Sequence, residues 1–285
     1  MRAVSAFALA LVAAGCYRPV APSGAPCAAG EICPAGLACR GGLCLAPGDD
    51  PLDAAGDGAG ADLAWRGVSS LGVDGTTLSE LSTSELSAEA GELLLAVVSV
   101  KPSYPVTQIA GLGATWTRIR EQCGGRDTAR LAMFWAMAAA ATSGKVTVTL
   151  NDGTRFLGSV VISVHRYGGA DPVAPIGAAS WANTNGHDGD PACTGGVDTT
   201  SYAWSTLDTS APGSLVFVGA HTARYSHTPG AGFVEREDFQ AAPTSATAGV
   251  AIEEQRFAQP TTDVLVTGSY TNAPDWSVIA VELRD

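Results

Sequence analysis

The feature that most constrains this chain is that it repeats itself. Gly91, Glu92, Leu93, Leu94 and Leu95 open an apolar segment that closes at Val161, Ile162, Ser163 and Val164. Gly213, Ser214, Leu215, Val216 and Phe217 open a second, which closes at Val278, Ile279, Ala280 and Val281. Between these ends Trp116 falls opposite Phe233, and Val146-Thr147-Val148 opposite Val264-Leu265-Val266. The offset stays between 117 and 122 residues throughout. Two copies are too few for a solenoid, which needs at least about three units to bury its repeat faces. The repeat therefore predicts one sandwich with pseudo-twofold symmetry, each half giving strands to both sheets.

The text of each copy is that of strands. Short runs of Val, Ile, Leu, Thr and aromatics alternate with Gly, Pro, Asn and Asp. The clearest strand candidates are 92–100, 145–150, 159–167, 214–220, 263–268 and 276–283. In 145–150, Val146, Val148 and Leu150 point one way and Thr147 and Thr149 the other, the mark of a half-buried strand. Asn151-Asp152-Gly153 then supplies a turn. Residues 131–142 (LAMFWAMAAAAT) are ambiguous, because Ala and Met favour helix. Their repeat partner, VAIEEQRF from Val250 to Phe257, is less helical, so a strand is expected. With 63–70, 76–81 and 201–206 the count reaches about 12 to 14 strands. The expected fold is all-β, a jelly-roll-like antiparallel β-sandwich built of two similar halves over residues 62–285 and preceded by a small disulfide-rich module.

The first 15 residues read as an export signal: Arg2, then an apolar stretch from Ala3 to Ala14 too short to span about 30 Å of hydrocarbon. Val12-Ala13-Ala14-Gly15-Cys16 resembles the bacterial lipobox, with Ala13 where Leu is usual. That resemblance implies acylation of Cys16 and a membrane anchor, and Tyr17 in the place of a retention Asp points to the outer membrane or cell surface. Seven cysteines are odd for an oxidising compartment. Lipid on Cys16 leaves six, which can pair completely.

Cys27, Cys33, Cys39 and Cys44 are separated by gaps of five, five and four residues. Zinc sites favour closer pairs, and an exported chain favours disulfides, so residues 16–45 are expected to be a lipidated, disulfide-rich module. It resembles the short four-cysteine modules of bacterial surface lipoproteins. Residues 46–61, Ala, Gly, Asp and Pro with almost no large apolar side chain, read as a flexible acidic linker. The main domain resembles an uncharacterised class of exported bacterial sandwich domains. The marks are at 91–98, at Trp116, at 162–172 (I.V.RY.G.DP) and at 275–283 (DW.V..VEL). The resemblance implies a fold and no reaction. Cys123 and Cys193, each beside glycines, are expected to pair and pin the connection 168–200 to the first half.

A net charge of −12 argues against nucleic acid, whose phosphates need a basic face. No nucleophile elbow, zinc-protease helix, phosphate loop or dinucleotide fingerprint occurs. His165 reads as a satisfied strand histidine, and His221 and His227 as weak metal candidates. Glu235/Glu237 and Glu253/Glu254 are acidic pairs of a kind exposed strands carry routinely. The tryptophans outside the central connection (Trp65, Trp116, Trp135, Trp204 and Trp276) read as core. The richest segment is 180–197 (SWANTNGHDGDPACTGGV), read as a long loop. Trp181 beside Asn183, Asn185, His187, Asp188 and Asp190 offers a ring for the apolar face of a sugar and polar groups for its hydroxyls. The same oxygens suit a structural calcium, and the plainest alternative is that Trp181 covers the sandwich edge while the polar residues meet water. No cofactor and no catalytic residue is expected. The expected function is non-catalytic binding or adhesion to a glycan or cell-surface polymer. The alternatives are a structural envelope protein without a ligand, and a secreted hydrolase.

Overall fold

A computed structural model describes residues 25–26, 33, 37–40, 43–45, 62–242 and 247–285. The chain divides into Met1–Ala59 and Gly60–Asp285. The signal peptide, Cys16, Cys27 and the linker 46–61 lie outside the described residues. In the first unit, β1 (Ala25–Pro26), β2 (Ala38–Arg40) and β3 (Leu43–Leu45) form one small sheet in the order β1-β3-β2. Cys39 and Cys44 stand opposite each other in its register, and Cys33 is disulfide-bonded.

The second unit is built from strands of two visible kinds. Some candidate runs are continuously apolar, which suits burial on both faces; others alternate, which suits burial on one. The first half contains β4 (Ala64–Leu78), β5 (Glu80–Ser82), β6 (Leu86–Ala88), β7 (Leu93–Lys101), β8 (Val106–Gly111), β9 (Thr117–Cys123), β10 (Arg130–Met137), β11 (Thr142–Gly144), β12 (Val146–Leu150) and β13 (Phe156–Gly168). The second contains β14 (Ile176–Asn183), β15 (Gly186–His187), β16 (Ser201–Leu207), β17 (Leu215–His221), β18 (His227–Pro229), β19 (Val234–Gln240), β20 (Gly249–Arg256), β21 (Val264–Tyr270) and β22 (Ser277–Leu283). Residues 131–137 are strand β10, as the repeat implied. Asn151–Gly153 is a tight 3-10 turn with all three residues at positive φ.

The two halves share one topology. The first makes a sheet β4-β13-β7-β10-β9 backed by β5-β12-β8. The second makes β14-β22-β17-β20-β19, with β15 added at the β14 edge, backed by β16-β21-β18. Position by position these are the same order. The all-β, jelly-roll-like sandwich of two similar halves is therefore present, but the halves do not share sheets. Each is a complete jelly roll, and the two stack through their large sheets into four layers.

Three apolar seams fill the gaps. Leu95, Val97, Met133 and Val161 of the first large sheet meet Phe217, Val250, Ile252 and Ile279 of the second. Val98, Ala132 and Ile162 on the far side of the first sheet meet Val106, Val146 and Val148. Val216, Val218 and Val278 on the far side of the second meet Trp204, Val264 and Val266. This explains the two kinds of text. Every residue of β7 except Lys101 is buried, because both its faces are covered. In β12 only alternate residues are fully buried, because it lies in an outer layer.

Candidate functional site

The segment 180–197 is less of a loop than its composition suggests. β14 runs through it to Asn183, pairing Trp181 with Ile279 of β22, and Asn183 and Gly186 close a short hairpin. Trp181 is thus a strand residue, half-buried against the seam between the halves. The rest of the segment is bonded to the end of β9. Cys123 and Cys193 form a disulfide with their Cα atoms 5.6 Å apart. That pairing was expected, and it pins the connection between the halves to the first half.

The amides complete the attachment. Asn183 is buried, and its Nδ2 donates to Cys123 O (3.1 Å) and Ala192 O (3.0 Å) while its Oδ1 accepts from Asn185 N (2.8 Å). Asn185 Nδ2 reaches Gly125 O (3.0 Å), Ala192 O (2.7 Å) and Thr194 O (3.0 Å). The backbones come this close because Gly125 has no side chain: a Cβ there would sit 2.0 Å from Thr184 Oγ1. Asp275, from the mark ahead of β22, accepts from Arg126 N (2.9 Å), Thr128 N (3.0 Å) and Thr128 Oγ1 (2.8 Å). Arg126 in turn pairs with Asp198 at 2.6 Å.

The two aspartates separate. Asp188 turns inward and accepts from Ser180 Oγ (2.9 Å) and Thr206 Oγ1 (2.8 Å), with His187 Nδ1 at 2.8 Å from its other oxygen. Burial pushes its carboxyl upward, but the bonds from His187, Thr206 and Ser180 outweigh this and hold it below the usual range. Asp190 turns outward, 90% exposed, and pairs with Arg120 at 2.5 Å. Arg120 lies over the Trp181 ring, 4.1 Å from its centre, and the indole N–H donates to Gly189 O at 2.8 Å. The structure therefore brings Trp181, Arg120 and Asp190 to one rim, whereas His187, opposite Ala182 in the hairpin, goes with Asp188 to the face of Ser180 and Thr206. It commits Asn183, Asn185 and Asp188 to holding that rim in shape. Arg120 is missing from the composition-based set. Its only sequence signal is the alternation of Arg118 and Arg120 along β9.

His165, His227 and the acidic pairs sit elsewhere, in two buried clusters. Glu235 pairs with Glu253, but a bulge at Arg236 brings Glu237 opposite Ile252. The bulge sends Glu235 and Glu237 to opposite faces of the sheet, so spacing by two does not put them together. Between the halves, Glu237 accepts from Ser70 Oγ and Ser163 Oγ, with His165 Nε2 at 3.2 Å. Burial alone pushes Glu237 upward; the bonds from His165, Ser163 and Ser70 outweigh it and hold the carboxyl below the usual range. His165 Nδ1 accepts from Trp65 Nε1 (3.4 Å), which places the imidazole proton on Nε2. The composition is that of a serine triad, yet the serine gives its proton to the carboxylate and has no base to activate it. His165 is fully buried, so the reading as a satisfied strand histidine holds. Beside it Tyr167 donates to Glu254, which also takes Arg236 Nε at 2.8 Å.

The second cluster lies within the second jelly roll. Tyr202 Oη is 2.9 Å from His227 Nε2 and donates to Glu253 Oε1 (3.2 Å), and His227 Nδ1 is 3.2 Å from Glu235 Oε1. Burial pushes Glu235 and Glu253 each up to about 7 and His227 down to about 4. The cluster is thereby kept short of charge in a low-dielectric setting. His221 is buried on Ser99 Oγ at 2.7 Å, across the seam. Each candidate metal histidine thus has a protein partner, and no group of three or more possible ligands gathers among the described residues.

Compared with family models, curated proteins and solved structures, the chain matches none of them.

Proposed function

We propose that this is an exported surface protein, anchored by lipid on Cys16. On this reading the jelly-roll pair is a non-catalytic module that binds or adheres to a glycan or cell-surface polymer. One observation carries the reading. The rim at 180–197 is locked by a disulfide and by the Asn183 and Asn185 bonds, yet it leaves Asp190 facing solvent beside Arg120. A surface already held in shape loses little entropy when it binds, and polar groups on a rigid frame read hydroxyls directionally. Because Arg120 covers the indole, a sugar would be held by Arg120 and Asp190, with Trp181 beneath the guanidinium.

A second reading, a structural envelope component, draws on the same geometry: the indole face and N–H of Trp181 are both already engaged within the chain. Hydrogen exchange on the full-length chain with a panel of cell-surface polysaccharides separates the two. Binding predicts new protection concentrated at 118–126 and 180–198. No protection, together with self-association in sedimentation, would favour the structural role.

A further inference from the structure

The end of β7 carries a feature that the rim does not use. Only two lysines occur in the 285 residues, Lys101 and Lys145. Lys145 is exposed, whereas Lys101 is half-buried and lines a cavity of about 550 Å³. That volume falls within the range of small-ligand sites. Pro102, Leu157, Gly158 and Gly75 supply uncharged wall, and Leu157 is 65% exposed. Among the described residues no hydrogen bond or ion pair engages the Lys101 ammonium. Burial holds it below the usual lysine range, with Asp275 and Asp198 acting against that shift at longer range and Arg126 and Arg224 adding to it.

A half-buried cation without a contact partner is costly, and an arriving anion supplies the missing partner. The acidic wall does not fill this role. Asp127 already accepts from Ser103 Oγ at 2.5 Å and from Arg130 at 3.5 Å, and Asp74 has a partner of its own. We propose that this cavity binds a small amphiphilic carboxylate, its charge on the Lys101 ammonium and its apolar chain along Pro102 and Leu157. The site is separate from the rim and does not depend on the rim's function.

Having two lysines makes the test direct. Reductive methylation with labelled formaldehyde keeps the charge and gives each lysine its own carbon signal in the full-length chain. Hexanoate should shift the Lys101 signal to saturation and leave Lys145 unmoved. Hexanol, which lacks the charge, and acetate, which lacks the chain, should each bind at least tenfold more weakly. Calorimetry on unmethylated Lys101→Met, with an unchanged melting curve, should show hexanoate affinity reduced at least tenfold. Equal movement of both lysines, hexanol binding as tightly as hexanoate, or undiminished affinity in Lys101→Met would overturn the proposal. Should Lys101→Met not fold, the comparison of the two lysines and the three probes decides on the unsubstituted sequence.

Discussion

Replacing Cys123 and Cys193 together by serine tests whether the connection between the halves is stapled as described. The bridge joins residues 70 apart in sequence. A loop of that size removes about 15 cal/mol/K from the unfolded chain, or about 4.4 kcal/mol at room temperature in the chain-entropy model. Little of this is lost from the folded side. Asn183, Asn185 and Asp275 still hold the end of β9 in the reduced protein, and Arg126 still pairs with Asp198. With a urea slope of about 3 kcal/mol/M for a domain of this size, the midpoint should fall by roughly 1.5 M, and the slope should rise slightly because the unbridged unfolded chain is less compact. The assay is urea unfolding of both proteins without reductant. A midpoint within about 0.3 M of the parent would show that the bridge does not stabilise the fold through chain entropy, since no other effect of comparable size cancels the loss. Two free thiols at these positions on denaturation of the parent would refute the pairing itself.

Three further outcomes follow from the buried layers. Gly219 stands where a Cβ would meet Met133 Cε at 3.0 Å and Val97 Cγ1 at 3.1 Å across the halves; Gly219→Val should cost about 1–3 kcal/mol in urea unfolding through overpacking. Glu237→Gln should cost about 2–3 kcal/mol at pH 7, because its bonds from Ser70, Ser163 and His165 are charge-assisted. Since the folded carboxyl titrates below its unfolded value, that stabilisation is present above the unfolded pKa and is lost as pH falls through the folded one. The gap between parent and variant should therefore narrow by pH 3. Glu235 has the opposite sign. Its folded value of about 7 lies above the usual carboxylate range, so its contribution is full below the unfolded value and is lost as pH rises through about 7. Melting temperatures should show Glu235→Gln gaining on the parent between pH 5 and pH 8, by about 1 kcal/mol once partial exposure is allowed for.

How much of this was legible in the sequence follows the range of each interaction. The repeat placed β10 correctly against a helical composition, because a strand shared by two copies outweighs local propensity. The division into four layers was written in the same text. LLLAVVSV in β7 is continuously apolar and belongs to a central sheet; VTVTL in β12 alternates and belongs to an outer one. Reading the copies as halves of one sandwich overlooked that difference. The disulfide was legible because Cys123 and Cys193 were the two cysteines outside the N-terminal module and lay within one domain. The rim was legible in composition and not in geometry. Nothing local says that Arg120 covers Trp181, or that Asp188 and Asp190 point apart, because both depend on strands brought together from distant text. The bulge at Arg236 is of the same kind. It separates Glu235 from Glu237 through pairing with β20, which the spacing of the two glutamates does not reveal.

Whether the locked rim is a recognition surface is decided by an array of glycans and cell-surface polysaccharides. It should be probed with the full-length chain, with and without calcium, alongside Trp181→Ala and Arg120→Ala. A defined set of hits is expected that does not require calcium and is lost in both variants. Hits retained in both variants would place binding elsewhere on the molecule. The absence of any hit in the parent would contradict the binding claim and leave the stacked jelly rolls as a structural element of the surface.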